Sequence, residues 1–357
     1  MKRRARDLRR GSAGCRPAAR VFGWAAAGLA VLVTAAAAAA DPPGPPDGVQ
    51  TAQPAAATMV ARRGPRRAEP ATAIPEFRPE GMAAASAILV EATSGDILYS
   101  HAAQERRAPA SLTKVMTAVI VLERARLNDQ VVASPRVREA GGHSMGLRPG
   151  QRLSVYDLLS ALLVLSANDA AVALAEHVGG SVPGFAEFMN AKAHALGMQD
   201  TSFRNPHGLD APDHYSTAYD LAVLTRYALQ SPIFAQIVRT RQTVIMVKAP
   251  AKRHGRPATF TRIVRSHNRL LTGFEGADGV KTGFTNEAGR CLVASAQRDG
   301  RRVIAVLLND PRRWEDAASL LEYGFQLLGA PAGTRASAPG GLAPPPPFVP
   351  DSPQVGG

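Results

Sequence analysis

Residues 110–118 read Ala110-Ser111-Leu112-Thr113-Lys114-Val115-Met116-Thr117-Ala118. Val115, Met116, Val119, Ile120 and Leu122 recur at helical spacing, which predicts a helix over 111–126. Residues three apart share one helical face. Lys114 therefore sits one turn above Ser111 and points the same way. A serine hydroxyl is a weak nucleophile and needs a base within hydrogen-bond reach. A lysine that is desolvated beside a second cation has a lowered pKa, and when neutral it can take the serine proton. The helix N-terminus also favours negative charge near Ser111. Taken alone, S-x-x-K reads more readily as a surface lysine and an N-capping serine.

Two further motifs change that reading. Ser166-Ala167-Asn168 follows the apolar run 158–165 and precedes a helical stretch over 169–177. A polar turn there brings a hydroxyl and an amide to one cavity wall: Ser166 to relay a proton, Asn168 to donate to a substrate carbonyl. Helix capping is the plainer role for such residues. Lys281-Thr282-Gly283 lies in the strand-like Asp278-Gly279-Val280-Lys281-Thr282-Gly283-Phe284-Thr285. Gly283 leaves room for a ligand backbone, and a strand edge can pair with an extended peptide. Lys281 adds charge that tunes Lys114 and attracts a carboxylate, to which Thr282 and Thr285 offer hydroxyls. The backbone N–H groups of Ser111 and Phe284 are the expected oxyanion donors. S-x-x-K, S-x-N and K-T-G in this order, over one domain length, predict a serine acyl-transfer site.

On these residues the chain resembles the low-molecular-mass penicillin-binding proteins, a family that includes serine-type D-alanyl-D-alanine carboxypeptidases. The blocks 110–118, 166–175, Asn205-Pro206-His207-Gly208-Leu209-Asp210 and 278–283 carry the resemblance, which extends from about Ala83 to Gly329. It implies Ser111 as the acylated nucleophile, Lys114 as base, Ser166 as proton shuttle, and Asn168 and Lys281 as substrate ligands. It also implies a peptidoglycan stem peptide ending in D-Ala-D-Ala as substrate, β-lactams as covalent inhibitors, and no cofactor. Three departures stand out. The middle motif has Ala167 where glycine is common, and Phe284 follows K-T-G where some members have histidine. A Pro/Gly/Ala-rich stretch follows the catalytic domain instead of a β-rich second domain and amphipathic anchor.

The ends divide the 357-residue chain. Residues 1–20 are basic and 21–40 apolar, ending Ala38-Ala39-Ala40 before Asp41. This is the pattern of a secretory signal peptide, with an uncleaved N-terminal membrane anchor as the alternative. Either implies export, to the periplasm or the outer face of the cytoplasmic membrane, with any membrane attachment through this segment. Residues 41–82 read as a disordered Pro/Ala/Arg-rich spacer, 83–330 as the catalytic domain, and 331–357 as a disordered tail. The net charge of +13 is concentrated at the start, where residues 1–70 carry twelve Lys/Arg and four Asp/Glu. That distribution and the lack of any nucleic-acid motif exclude a nucleic-acid partner. Cys15 and Cys291 offer no disulfide framework, and no metal-ligand spacing such as H-E-x-x-H occurs.

Residues 87–92 and 97–99 flank Ser94-Gly95-Asp96 as a β-hairpin, and 290–296 and 302–308 flank Arg298-Asp299-Gly300 as two more strands. Helices are expected at 155–165, 169–178, 183–196, 217–230 and 313–328. Strands at both ends with helices between predict an α+β fold, an antiparallel sheet against a helical cluster with the site at their junction. This is the serine β-lactamase/penicillin-binding (DD-peptidase) fold that the resemblance implies. Arg262, Arg265 and Arg269 are equal candidates for a carboxylate ligand, and His207 reads as a turn residue. Alternative activities are a D,D-endopeptidase on cross-links, a class A-like β-lactamase and a non-catalytic wall-binding protein. The β-lactamase lacks its loop glutamate here: Glu187 and Asn190 are three apart in a predicted helix.

Overall fold

A computed structural model describes residues 81–251, 255–329 and 340–350. The signal or anchor segment and nearly all of the spacer lie outside the described residues. The strands are β1 (Ser86–Glu91), β2 (Ile97–His101), β3 (Gln130–Val132), β4 (Arg152–Ser154), β5 (Gln242–Ala249), β6 (Ala258–Arg265), β7 (Ala277–Thr285), β8 (Gly289–Arg298) and β9 (Arg301–Leu308). The helices are α1 (Lys114–Arg124), α2 (Val155–Ser160), α3 (Asn168–Gly179), α4 (Val182–Ala195), α5 (Ala218–Ala228), α6 (Pro232–Val238), α7 (Leu270–Gly273) and α8 (Arg313–Gly329). A five-stranded antiparallel sheet runs in the order β2-β1-β9-β8-β7, so the two ends of the chain build one sheet. The α+β expectation holds, and both predicted hairpins form in it.

This sheet is apolar on both faces because both are covered. Along β1 and β9, Ile88, Val90, Ile304 and Val306 enter the core shared with the helical cluster. The alternate residues Ala87, Leu89, Val303, Ala305 and Leu307 pack with Ala317, Leu320 and Leu321 of α8. Each fully buried aliphatic side chain contributes about 1.5–3 kcal/mol, so the two layers fix the register of β1 and β9 within this sheet. Helix α1 lies at the centre, buried from Lys114 to Glu123. Its one carboxylate, Glu123, is matched by Lys192 Nζ at 2.8 Å and Tyr227 Oη at 2.5 Å. The buried helix that follows Ser111 thus carries no unpaired carboxylate.

A second sheet, β3-β4-β5-β6, was not expected. Val244, Met246 and Ile263 are exposed on β5 and β6, and this obscures the apolar/polar alternation by which a strand is read. Two boundaries also move. Met82, placed in the spacer by its sequence, is buried in the α8 core. Residues 340–350, expected as part of a disordered tail, lie against the domain: Leu342 is buried and donates its N–H to Gly95 O at 2.8 Å. The anchor is Arg226, whose guanidinium reaches Ala92 O, Thr93 O and Ala343 O at 2.9, 3.1 and 2.9 Å. No helix among the described residues is long and apolar enough to cross a membrane.

Candidate active site

Ser111 lies in a 3₁₀ turn, Ala110–Thr113, that feeds α1. Ala110 has φ +48°, a left-handed conformation costly for a residue with a Cβ and common where surroundings over-determine a functional turn. The turn is locked from beneath. Thr113 Oγ1 donates to Ala110 O at 2.9 Å and meets His214 Nε2 at 2.9 Å. His214 Nδ1 accepts from Arg204 N at 3.0 Å, which fixes the neutral tautomer with its proton on Nε2. Burial agrees, pushing this ring down to about 4.

Lys114 is fully buried, and Nζ has three neighbours: Ser111 Oγ at 2.8 Å, Asn168 Oδ1 at 2.7 Å and His207 O at 2.6 Å. Burial first, and Lys281 second, hold its pKa well below the ordinary lysine range. Asn168 Oδ1 and the His207 carbonyl can only accept. A neutral amine has two N–H groups and one lone pair. With both N–H groups directed to those two acceptors, the lone pair is left for the Ser111 hydroxyl. The S-x-x-K spacing thus places the amine beside Ser111, and two distant segments orient it.

Each orienting segment has a local cause. The run 161–165 closes as a π-helical turn, a form frequent at functional sites, and ends on Ser166 with φ +66°. Asn168 opens α3 with Nδ2 donated to Gly141 O at 3.0 Å and its backbone N–H to His143 O at 2.7 Å. Asp169 ties down the rest of that loop, accepting from Met145 N and Leu147 N at 3.1 and 2.8 Å. His207 is presented by a turn in which Asn205 Oδ1 accepts from Gly208 N at 2.7 Å and Thr117 Oγ1 donates to Pro206 O at 2.6 Å. His207 meets Lys114 through its backbone carbonyl and not its ring. Its ring is pushed down to about 3 by burial and by Lys114.

Strand β7 forms the opposite wall and is an edge strand with one side unpaired. Gly283 is small for a reason other than ligand access: a Cβ there would stand 3.0 Å from Ala110 Cβ and 3.2 Å from Ser111 N. The missing side chain seats the Ser111 turn against the strand and brings Ser111 N–H beside residues 283–284. Lys281 is buried, donates to Thr282 O at 2.8 Å, and is lowered to about 7 by burial and Arg313. Thr282 is half-buried, and the Phe284 side chain is exposed.

Two expectations change. Thr285 does not offer its hydroxyl to a ligand; Oγ1 donates to Asp210 Oδ1 at 2.6 Å and accepts from Ala288 N at 3.0 Å, closing the end of the strand. Ser166 is buried in the wall, but its hydroxyl makes no hydrogen bond to Ser111 or Lys114. The arginine at K-T-G is none of the three candidates. Arg313 Nη1 reaches Gly283 O at 2.7 Å and Cys291 O at 3.2 Å. Arg262 turns to Gly146 O and Arg265 to Gln242, and Arg269 lies over Trp314. Arg313 begins α8, thirty residues after the motif, and nothing local in the sequence linked the two. Among the described residues no group of three or more His, Cys, Asp or Glu could hold a metal ion.

A serine, a buried lysine aimed at it, and an open strand edge beside both have the geometry of a lysine-assisted active-serine site. The sequence profile of the D-alanyl-D-alanine carboxypeptidases (peptidase family S11) matches residues 73–312, and the chain belongs to this family. It is 36% identical over 250 residues to D-alanyl-D-alanine carboxypeptidase DacF of Bacillus subtilis, covering 68% of this chain and 62% of DacF. Identity to DacB2 of Mycobacterium tuberculosis is 35% over 248 residues, covering 67% of this chain and 81% of DacB2. The chain thus spans less than two thirds of DacF's length. Among solved structures, the Streptomyces K15 DD-transpeptidase superposes with a TM-score of 0.65 at 31% identity, covering 70% of this chain and 100% of that one. DacD from Francisella tularensis gives 0.62 at 29%, covering 71% and 72%. The fold is that of the DD-peptidases.

Proposed function

We propose that the chain is a serine-type D-Ala-D-Ala carboxypeptidase acting on peptidoglycan stem peptides. The observation that carries this reading is the aim of the Lys114 amine at Ser111 Oγ. Lys114 takes the hydroxyl proton as Oγ bonds to the penultimate D-Ala carbonyl carbon. The Ser111 and Phe284 N–H groups hold the oxyanion, a contribution of about 3–4 kcal/mol per donor in comparable sites. The proton then passes to the departing nitrogen, from Lys114 or through Ser166. The C–N bond breaks, D-Ala leaves, and water hydrolyses the Ser111 ester. Lys281, Thr282 and Arg313 face the terminal carboxylate, and Asn168 retains one amide N–H for the peptide. β-Lactams acylate Ser111 by the same first step.

No carboxylate is a hydrogen-bond partner of Ser111 or Lys114 among the described residues. This favours the carboxypeptidase over a class A-like β-lactamase, whose deacylating water is activated by a glutamate. The basic and apolar N-terminal sequence supports action outside the cytoplasmic membrane. The test is D-Ala release from a pentapeptide ending in D-Ala-D-Ala. Release by the wild type and none by Ser111→Ala is expected; release by the variant would refute the assignment.

A further inference from the structure

Among the described residues, six large apolar side chains are exposed, and four of them belong to the second sheet: Val132, Val244, Met246 and Ile263. Cross-strand partners share a face. Val244 pairs with Ile263, Met246 with Thr261, Lys248 with Arg152, and Arg152 with Val132. All four apolar residues therefore lie on the outer face, while Ile245, Val247 and Val264 turn into the core.

The same face is cationic. Arg152, Lys248 and Arg265 are exposed on it. Lys248 and Arg265 donate to side-chain amides, those of Gln130 and Gln242. None of the three is in an ion pair with a described residue. From Leu221 to Phe274 the chain carries ten Lys/Arg and no Asp/Glu. In the connection between β5 and β6, Arg256 is exposed as well. The carboxylate in contact with the face, Asp157, is already engaged by Met246 N and Ser154 Oγ.

We propose that this outer face, led by the β5–β6 hairpin, docks on an anionic phospholipid bilayer. Cations attract the headgroups, and apolar side chains between them enter the boundary below. A soluble polyanion would need the charges and leave the four apolar residues without a role. A second copy would bury the apolar residues but set like charges against like across a two-fold axis. A bilayer accommodates both properties at once.

The test uses the full chain with Cys15→Ser and a bimane label on Thr261→Cys, a position on the face that leaves every apolar residue in place. A control label sits on Glu187→Cys of α4. Vesicles contain phosphatidylglycerol with brominated lipid. The expected result is quenching at position 261, little at 187, and none in vesicles of phosphatidylcholine with the same brominated lipid. Lys248→Gln with Arg265→Gln should weaken the response about thirtyfold, and Met246→Ser with Ile263→Ser should abolish quenching. Unchanged labelling by penicillin certifies the fold of each variant. Three results would overturn the proposal. The 261 label stays unquenched while the protein sediments with vesicles through another segment. Self-association appears instead and is lost with Ile263→Ser. Polyphosphate binds, with no vesicle quenching, and indifferently to the apolar substitutions.

Discussion

A side chain on Gly208 would collide with Ala110: a Cβ there would stand 1.9 Å from Ala110 O. Gly208 also has φ +84°. The turn that presents the His207 carbonyl is thus pressed directly against the turn that carries Ser111. Gly208→Ala should move His207 O away from Lys114 and strain both turns. Thermal unfolding is expected to show a loss of about 2 kcal/mol or more, with penicillin acylation slowed in parallel. Unchanged stability and acylation would mean the two turns are not coupled.

The second prediction concerns the amine that these turns orient. Lys114→Arg keeps a cation but cannot give up its proton. Acylation should fall by about 10²–10⁴-fold, the usual worth of a positioned base. In the wild type the pKa of Lys114 lies well below the ordinary lysine range, owing to burial and then Lys281. The neutral form, and with it acylation, therefore increases as pH rises through that lowered value. Lys281→Met removes the second cause, so the acid limb of the acylation rate should move to higher pH. A limb that stays in place would show that Lys281 does not tune Lys114.

His214 makes stability depend on pH. Its folded-state value of about 4 lies below the ordinary 6.5. Between these values the unfolded chain binds more protons, so stability is complete above about pH 6.5 and is lost as pH falls toward 4. The share from this ring is about 3 kcal/mol at most. His214→Gln should flatten the slope of unfolding free energy over this window, leaving the part due to His207. An unchanged slope would place the titrating group elsewhere.

Arg226 predicts the behaviour of the C-terminal strap. Its guanidinium holds the β1–β2 turn on one side and residues 342–343 on the other. Arg226→Ala should free residues 340–350 and cost about 3 kcal/mol across its hydrogen bonds. Limited proteolysis followed by mass measurement should show faster trimming toward residue 340. Wild-type trimming rates in the variant would mean that the strap is held by its other contacts, among them Leu342 N–H to Gly95 O and Phe348 N–H to Gln230 Oε1.

The parts of this molecule legible in its sequence are those with short-range signatures. The α1 periodicity placed Lys114 over Ser111, and the two terminal hairpins announced themselves through Gly95 and Gly300 between β-rich runs. Contacts between segments far apart in sequence were not legible. The His207 carbonyl contributes a backbone atom, for which no residue type is diagnostic. Arg313 reaches K-T-G across a sheet, and Arg226 finds its acceptors more than a hundred residues away. Thr285 carried the right hydroxyl for a carboxylate, but Asp210, seventy-five residues earlier, takes it. The β5–β6 hairpin escaped because Val244, Met246 and Ile263 stand on its outer face among the polar residues and blur the alternation.

The central claim is that Ser111 is a nucleophile activated by Lys114. Its most direct test is the intact mass of the protein after brief exposure to penicillin, with Ser111→Ala alongside. One covalent adduct per wild-type chain and none on the variant is the predicted result. An adduct that persists on Ser111→Ala, or a wild type that neither acquires one nor hydrolyses the drug, would contradict it.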